Sequence, residues 1–391
     1  MLTDLRLALR VLARHRAFAL LAALALAVGI GATTALVSVV DGVLLRPLPY
    51  PGSDRLLTVW HADRRAAAER EELAPGTFLD LRARARTFAG LAAAEPYGLD
   101  LAGPDGPEML ATWLVTEGFF DVLGARAQLG RTFRADEHVA GRADVVVLAD
   151  GFWRRRFGAD PGVVGRSVVL DGRPHTVVGV MPPAVRLADD HDVWAPRVVV
   201  ADDAEQRGRG HWIVLGRLRD GVAPAAAARE LDALGRRLAA EHPRTDAGLS
   251  LVAVPLREAM VGTARPALLL LLGGAGLVLL AGCANVAALL LTRTLGRAPE
   301  LALRAALGAT GRRLARLLAA EGLAVAAAGG VGGLVLAVWG VEGLRALAPA
   351  ELPRVDELAV DARVLATAAA VALLAALLVA VLPAWRAAAD T

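Results

Sequence analysis

The sequence predicts an integral membrane protein that combines an all-α transmembrane domain of four helices with an extracytoplasmic α+β domain inserted between spans 1 and 2. Three observations predict this fold class. Hydrophobic residues make up 55% of the 391 residues although aromatic residues make up only 4%, so the excess is Ala, Leu and Val. These apolar residues gather in four blocks, each about as long as the 20 residues that a helix needs to cross a bilayer. The long middle of the chain instead reads as a globular sequence.

The four apolar blocks, at 18–40, 267–291, 317–340 and 362–383, carry very little charge. Glu321, near the start of the third block, and Arg363, at the edge of the fourth, are the exceptions. A cleaved signal peptide is the alternative for the first block, because arginines precede it. The block is longer than a usual signal core and three more follow, which favours a retained span.

Arginine sets the predicted orientation through the positive-inside rule. Arg6, Arg10, Arg14 and Arg16 precede span 1, and six arginines against the single acid Glu300 lie between spans 2 and 3. The loop between spans 3 and 4 is acidic instead. We therefore expect both termini in the cytoplasm of a bacterium, with the chain crossing its plasma (inner) membrane four times. The predicted division is a cytoplasmic amphipathic helix at 1–17, span 1 at 18–40, the outer domain at 41–266, span 2 at 267–291, a cytoplasmic loop at 292–316, span 3 at 317–340, a short outer loop at 341–361, span 4 at 362–383 and a cytoplasmic tail at 384–391.

The outer domain alternates short strand-like runs with amphipathic helices. Strands are predicted at 56–60, 108–115, 145–148, 212–219 and 249–255, and helices at 117–123, 150–157 and 224–242. A helix is also predicted at 77–91, with Thr77 as its N-cap. Asp171-Gly172 between two apolar runs predicts a hairpin over 167–180. The β-rich middle suggests a small lobe inserted at about 146–208.

Several classes of function are disfavoured by composition. All 43 basic residues are arginine, and they lie beside the apolar blocks rather than among base-reading residues, so nucleic-acid binding is not expected. A phosphate loop requires a lysine, so we expect that ATP hydrolysis, if it drives this protein, comes from another polypeptide. Cys283 is the only cysteine. The run from Asp189 to Asp192 could hold a metal, but a solvated loop is the better interpretation, and we expect neither metal nor cofactor nor catalytic residues.

Several blocks, in a fixed order along nearly the whole chain, resemble the MacB/FtsX-type ABC permeases, and most closely their duplicated orphan branch. The blocks are LRLALR at 5–10, VGIGA at 28–32, LLRPLPYP at 44–51, GFFDVLG at 118–124, LGRTF at 129–133, WRRRFG at 153–158, VVGVMP at 177–182, CANVA at 283–287 and ELALRAALGA at 300–309. The resemblance implies a four-span permease half whose outer domain has porter-like and sabre-like lobes. That branch carries two such units and only one is present, so the chain is either a single-unit member that pairs with a second copy or one half of something longer.

The predicted cytoplasmic loop contains the segment with the most specific functional prediction. Pro299 suits a first helical turn, Glu300 suits its positive end and Gly308 suits its termination. The resemblance implies that this short helix is the coupling helix seated on an ABC ATPase subunit. The alternative is a membrane-surface helix held by arginines on lipid phosphates. The residues assigned to this segment are Pro299, Glu300, Leu301, Leu303, Arg304, Leu307 and Gly308.

Polar or small residues within the spans are candidates for helix packing. Polar groups at membrane depth are functional candidates by default, but Asn285 beside Gly282 is more typical of a hydrogen bond between helices. Glu321 lies only one turn into its span and could reach the headgroups. Gly329 and Gly333, four residues apart, allow close helix contact, and a dimer interface is one place for it.

The sequence therefore predicts the permease subunit of an ABC exporter that transmits mechanical work to its outer domain and that dimerises in the lipid bilayer. The alternative is a membrane-anchored regulator or scaffold whose outer domain binds and activates an envelope partner protein. An anchored extracytoplasmic enzyme is a third class, but no catalytic constellation supports it.

Overall fold

The structure is a computed structural model that describes residues 15–63, 70–103, 106–186, 191–208, 210–262, 264–296, 299, 303, 306, 311–347 and 362–389. The chain forms two compact units. One comprises Met1–Arg46 together with Thr263–Thr391, and the other comprises Pro47–Gly262. We call them the helical unit and the outer unit.

The helical unit contains four long helices: α1 at Arg16–Val40, α7 at Ala264–Gly296, α8 at Gly311–Leu347 and α9 at Ala362–Ala389. All four are long and apolar enough to cross a membrane, as the sequence predicts. Helix α1 packs against each of the other three, so it forms the centre of the unit. It continues into a π-helical turn at Asp41–Leu45.

In the described part of the outer unit, eleven strands form a single sheet. The strands are β1 Leu56–Asp63, β2 Arg70–Glu71, β3 Phe88–Gly103, β4 Gly106–Val115, β5 Leu129–Gly130, β6 Val145–Leu148, β7 Ser167–Leu170, β8 Arg173–Val180, β9 Val193–Pro196, β10 Ile213–Leu218 and β11 Leu249–Pro255. The order along the sheet is β11-β1-β10-β3-β4-β9-β6-β8-β5, with β2 beside β1 and with β7 beside β3 and β8. Most pairs are antiparallel, and β4–β9 and β6–β8 are parallel.

Helices complete the outer unit: α2 at Pro75–Arg84, α3 at Phe119–Leu123, α4 at Asp150–Phe157, α5 at Pro224–Glu241 and α6 at Leu256–Val261. Helices α2 and α5 share one hydrophobic core with β1, β10 and β11, which contains Phe78, Leu231 and Trp212. A separate core joins β6–β9 and α4 to the far half of the β3–β4 hairpin through Leu99, Leu101 and Leu110. The segment 146–208 therefore builds its core together with residues that precede it.

One predicted helix is too long. The segment expected as a helix at 77–91 is helical only to Arg84, because Phe88–Leu91 begins strand β3 and pairs with β10. Phe78, Leu81 and Phe88 all enter the same core, which imitates a continued helical pattern. Thr77 is not the N-cap either. The helix begins at Pro75 after Ala74, and Thr77 is buried.

Other local predictions are confirmed. The hairpin formed by β7 and β8 turns at Asp171 and Gly172, both of which have positive φ, at 47° and 74°. Such a turn matches the right-handed twist of the strands and favours Asp-Gly. Helix α4 and strand β11 have the predicted bounds.

Candidate functional site

The loop between α7 and α8 contains three described residues, Pro299, Leu303 and Ala306, and all three are helical and exposed. Their spacing of four and three residues places them on one side of a helix. Leu303 is 63% exposed, an apolar side chain with little protein around it. The other residues assigned to the coupling helix, Glu300, Leu301, Arg304, Leu307 and Gly308, lie outside the described residues.

The glycines of α8 lie against α1 of the same chain. A Cβ added to Gly329 would lie 2.6 Å from Leu26 Cβ, and one added to Gly333 would lie 2.8 Å from Ile30 Cβ. No side chain fits at such distances, so glycine is what allows these two backbones to approach. Gly282 of α7 makes a looser approach, since its added Cβ would be 3.4 Å from the carbonyl oxygen of Ala25.

Two glycines of α1 were not assigned a role from the sequence. An added Cβ at Gly29 would lie 2.9 Å from Leu279 Cα of α7, and one at Gly31 would lie 2.9 Å from Leu336 Cβ of α8. Gly29 therefore allows α7 to approach α1 closely, and Gly31 allows α8 to do so. The signal that could have found this is the spacing of small residues along span 1, which includes glycines two residues apart.

The two polar candidates within the spans occupy different environments. Glu321 is only 2% exposed and lies inside the helical unit. Asn285 is exposed on α7, whereas its neighbours Cys283 and Val286 are buried. The structure therefore does not bury Asn285 between helices of this chain. At the far end of α1, Asp41 lies 3.3 Å from Arg46 Nε and 3.8 Å from a guanidinium nitrogen of Arg363 on α9.

Several carboxylates of the outer unit accept hydrogen bonds from arginine side chains or from backbone N–H groups. Asp192, the end of the acidic run that could have held a metal, accepts hydrogen bonds from Arg155 at 2.7 Å and from the backbone N–H of Ala111 at 3.1 Å. Asp189 and Asp190 lie outside the described residues. Glu230 on α5 accepts bonds from the backbone N–H groups of Arg86 and Thr87 at 2.8 and 2.9 Å, next to the start of β3. Burial alone would raise the pKa of Glu230, but the bonds from Thr87 and Arg86 hold it below its ordinary value. Such carboxylates connect elements of the fold.

The strands at the two ends of the outer unit are neighbours. Strand β1 is its first and β11 its last, and they pair antiparallel from Leu57 opposite Pro255 to Asp63 opposite Leu249. The chain enters β1 from the segment that follows α1, and it leaves β11 through α6 towards α7. Both covalent links to the helical unit therefore depart from the same pair of strands.

Comparison with known proteins places these two units in a family. Residues 19–234 match the model of the MacB-like periplasmic core domain, and residues 272–391 match the FtsX-like permease C-terminal model. The chain is 30% identical over 227 residues to a macrolide export ATP-binding/permease protein MacB of Burkholderia pseudomallei, which covers 57% of this chain and 34% of that protein. It is 26% identical over 360 residues to the MacB of Burkholderia thailandensis, which covers 85% of this chain and 51% of that protein.

The chain thus spans between a third and about half of the length of these relatives. Among solved structures, the periplasmic region of MacB from Actinobacillus actinomycetemcomitans is similar with a TM-score of 0.40 and 18% identity, over 55% of this chain and 94% of that one. The family model of the periplasmic core domain alone covers more than half of the chain, and the permease model follows it in order. This multi-pass membrane protein therefore belongs to the MacB/FtsX-type ABC transporter permeases.

Proposed function

We propose that this chain is the permease subunit of an ABC transporter of the mechanotransmission type, in which ATP hydrolysis on a separate ATPase chain moves the outer unit. Membership of the permease family supports the transporter role. The relatives named above are macrolide export proteins, which supports export or efflux as the direction of transport. The described spans contain few ionisable side chains, whereas a polar pathway through the membrane would require more.

The pairing of β1 with β11 carries the mechanical part of the proposal. A displacement of α1 relative to α7 acts on two strands that are joined by a continuous hydrogen-bond ladder. The ladder resists separation, so the displacement is passed to the rest of the sheet instead of being absorbed in a loose linker. The β3–β4 hairpin then extends this sheet into the core formed by β6–β9.

The orientation belongs to the same proposal. Arginines at 293–316 and acids at 342–361 support cytoplasmic termini, a cytoplasmic loop at 292–316 and an extracytoplasmic segment at 41–266 in the bacterial inner membrane. In this proposal the core around Phe78 and Trp212 belongs to the porter-like lobe, and the core that contains Leu99, Leu101 and Leu110 belongs to the sabre-like lobe. In this arrangement Pro299, Leu303 and Ala306 face the ATPase.

A second permease copy completes the transporter in this proposal. The Asn285 amide is exposed on a helix that crosses the hydrocarbon core, where a polar group without a partner is costly. An amide both donates and accepts hydrogen bonds, so the Asn285 side chains of two copies of α7 can hydrogen-bond to each other. An envelope partner protein that binds the outer unit is compatible with the same architecture.

The coupling helix is tested by affinity purification of the full chain from native membranes. Wild type is expected to retain an ATPase subunit, and Glu300→Arg combined with Arg304→Glu is expected to lose it, because the charges presented to the ATPase are reversed while an i,i+4 ion pair is kept. The matched control is Glu342→Arg with Arg345→Glu, at the other end of span 3, which should retain the ATPase. Equal retention by all three proteins would contradict the coupling-helix assignment.

A further inference from the structure

A buried polar cluster lies in the outer unit, where three elements meet. His61 is on β1, Thr77 is on α2, and Asp246 is in the turn between α5 and β11. These side chains are only 3%, 1% and 2% exposed. The cluster therefore connects the first strand of the outer unit to the turn that precedes the last strand.

The polar atoms of this cluster have unused hydrogen-bonding capacity. Within the described part of the chain, no hydrogen bond reaches His61 Nδ1, Thr77 Oγ1 or either carboxylate oxygen of Asp246. Arg207 is near, but its closest nitrogen is 3.9 Å from Asp246 Oδ2 and its other terminal nitrogen lies 2.7 Å from Asp80. Buried polar atoms are nearly always paired with protein or with ordered water, so these atoms require partners beyond the described protein groups.

A cavity of about 10 Å³ is lined by the residues of this cluster, His61, Thr77 and Asp246, together with Ser250 and apolar residues. That volume admits one water-sized molecule. The hydroxyl of Ser250 donates to the carbonyl of Ala62 at 2.9 Å, so it is already engaged. The cavity thus has the size and the two to four polar partners that an internal water requires.

The chemistry of the lining favours a neutral ligand over a cation. Ca²⁺ and Mg²⁺ take about six or more oxygen ligands, and Zn²⁺ takes at least three ligands from His, Cys, Asp or Glu. This lining offers one imidazole, one carboxylate and two hydroxyls, which is too few for either kind of site. The guanidinium of Arg207 also supplies positive charge beside Asp246. Burial lowers the pKa of His61, against the opposing influence of Asp246 and the Gly208 backbone, which favours the neutral ring. A neutral imidazole has one nitrogen that can accept a hydrogen bond from a ligand.

We propose that one structural water molecule occupies this cavity and bridges His61 Nδ1, Thr77 Oγ1 and the Asp246 carboxylate. The water donates to Asp246 and to His61 and accepts from the Thr77 hydroxyl, which satisfies all three side chains at once. It fastens β1 and α2 to the turn that leads into β11. This role is independent of whether the chain is coupled to an ATPase.

The test is magic-angle-spinning NMR on the full-length protein in lipid bilayers, with labelled histidine and with transfer of magnetisation from water. The chain has seven histidines, and His61→Gln identifies the signal of His61. The His61 ring is expected to receive magnetisation at the shortest mixing times although bulk solvent does not reach it. The core residue Val214, labelled in parallel, is expected to receive none at those times.

Two threonine variants separate the bound water from general effects of losing a buried hydroxyl. Thr77→Val is expected to abolish the early transfer to His61. Thr116→Val is expected to preserve it, because the Thr116 hydroxyl already accepts a bond from the Ala93 N–H at 2.8 Å. Unchanged His138 and His211 signals would show that each variant is folded. If the wild-type His61 ring received no more early magnetisation from water than Val214 does, the proposal would be overturned. Equal loss of the early transfer in Thr77→Val and Thr116→Val would also overturn it.

Discussion

Glu137 is a buried carboxylate that stabilises the outer unit through contacts that cannot be recognised from a sequence motif. Arg131 donates two hydrogen bonds to it, at 2.8 and 2.6 Å, and the backbone N–H of Arg134 donates a third at 2.8 Å. Burial by itself would raise the pKa of Glu137, but these bonds outweigh it and lower the pKa. The resulting contribution to stability is present above the ordinary pKa of a glutamate and is lost as the pH falls through the lowered value.

Glu137→Gln is expected to destabilise the outer unit by about 1.5–3 kcal/mol at pH 7, the range for hydrogen bonds to charged groups. The difference from wild type should narrow as the pH is lowered, because wild-type Glu137 then becomes protonated and loses the same interactions. Urea unfolding followed by tryptophan fluorescence at several pH values measures both effects. Glu241→Gln, which removes an exposed ion pair with Arg84, serves as the control and should cost less than about 1 kcal/mol. A penalty for Glu137→Gln that did not change with pH would contradict the account.

At the scale of elements, the helices that cross the membrane were the most predictable part of the molecule. Their length and lack of charge follow from lipid as the solvent, and these properties are local in the sequence. The β7–β8 hairpin was predictable for a similar reason, since Asp171 and Gly172 accept the positive φ of the turn. The boundary between α2 and β3 was not, because Phe88 and Leu91 become strand residues by pairing with β10, which is more than 120 residues away in the sequence.

Close packing of α8 on α1 gives a prediction at this scale. Gly333→Leu is expected to lower the thermal stability of the full chain in detergent by an amount equivalent to about 1–3 kcal/mol, because its Cβ would overlap Ile30 and force the helices apart. A Cβ at Gly343 in the same helix would meet no atom within 4 Å, so Gly343→Leu should leave the stability nearly unchanged. The measurement is the melting temperature of both variants and of wild type, determined by thermal unfolding under the same conditions. Equal melting temperatures would mean that α1 and α8 do not approach as closely as described.

At the scale of the whole molecule, the order of the units along the chain could be predicted, but the arrangement of the sheet could not. The sequence predicted a small lobe within 146–208, and the strands of that segment are present. Their core, however, includes Leu99, Leu101 and Leu110 of the long β3–β4 hairpin. Leu101 of β3 pairs with Leu170 of β7, which lies several strands and helices later in the chain, and neither residue carries a local signal of this pairing. The coupling helix rests mainly on the sequence motif at 299–308, because the structure describes only Pro299, Leu303 and Ala306 of this segment.

The proposed orientation predicts which residues meet reagents from outside the cell. In a Cys283→Ala background, Met109→Cys should react with a membrane-impermeant maleimide on intact cells, because Met109 is 77% exposed in the outer unit. Leu303→Cys should react only after the cells are permeabilised. Labelling is read by mass shift on a gel. Reaction of Leu303→Cys in intact cells would place the loop at 292–316 on the wrong side of the membrane.

In the proposed mechanism, ATP hydrolysis on a partner chain moves the outer unit. The most direct measurement is the distance between spin labels on Met109→Cys in two copies of the chain, reconstituted with the ATPase in lipid nanodiscs and recorded by pulsed electron paramagnetic resonance. We expect the distance distribution to differ between the nucleotide-free state and ATP turnover, since motion of α1 and α7 reaches the sheet through β1 and β11. Identical distributions in the two states, with ATP being consumed, would contradict mechanical transmission by this protein.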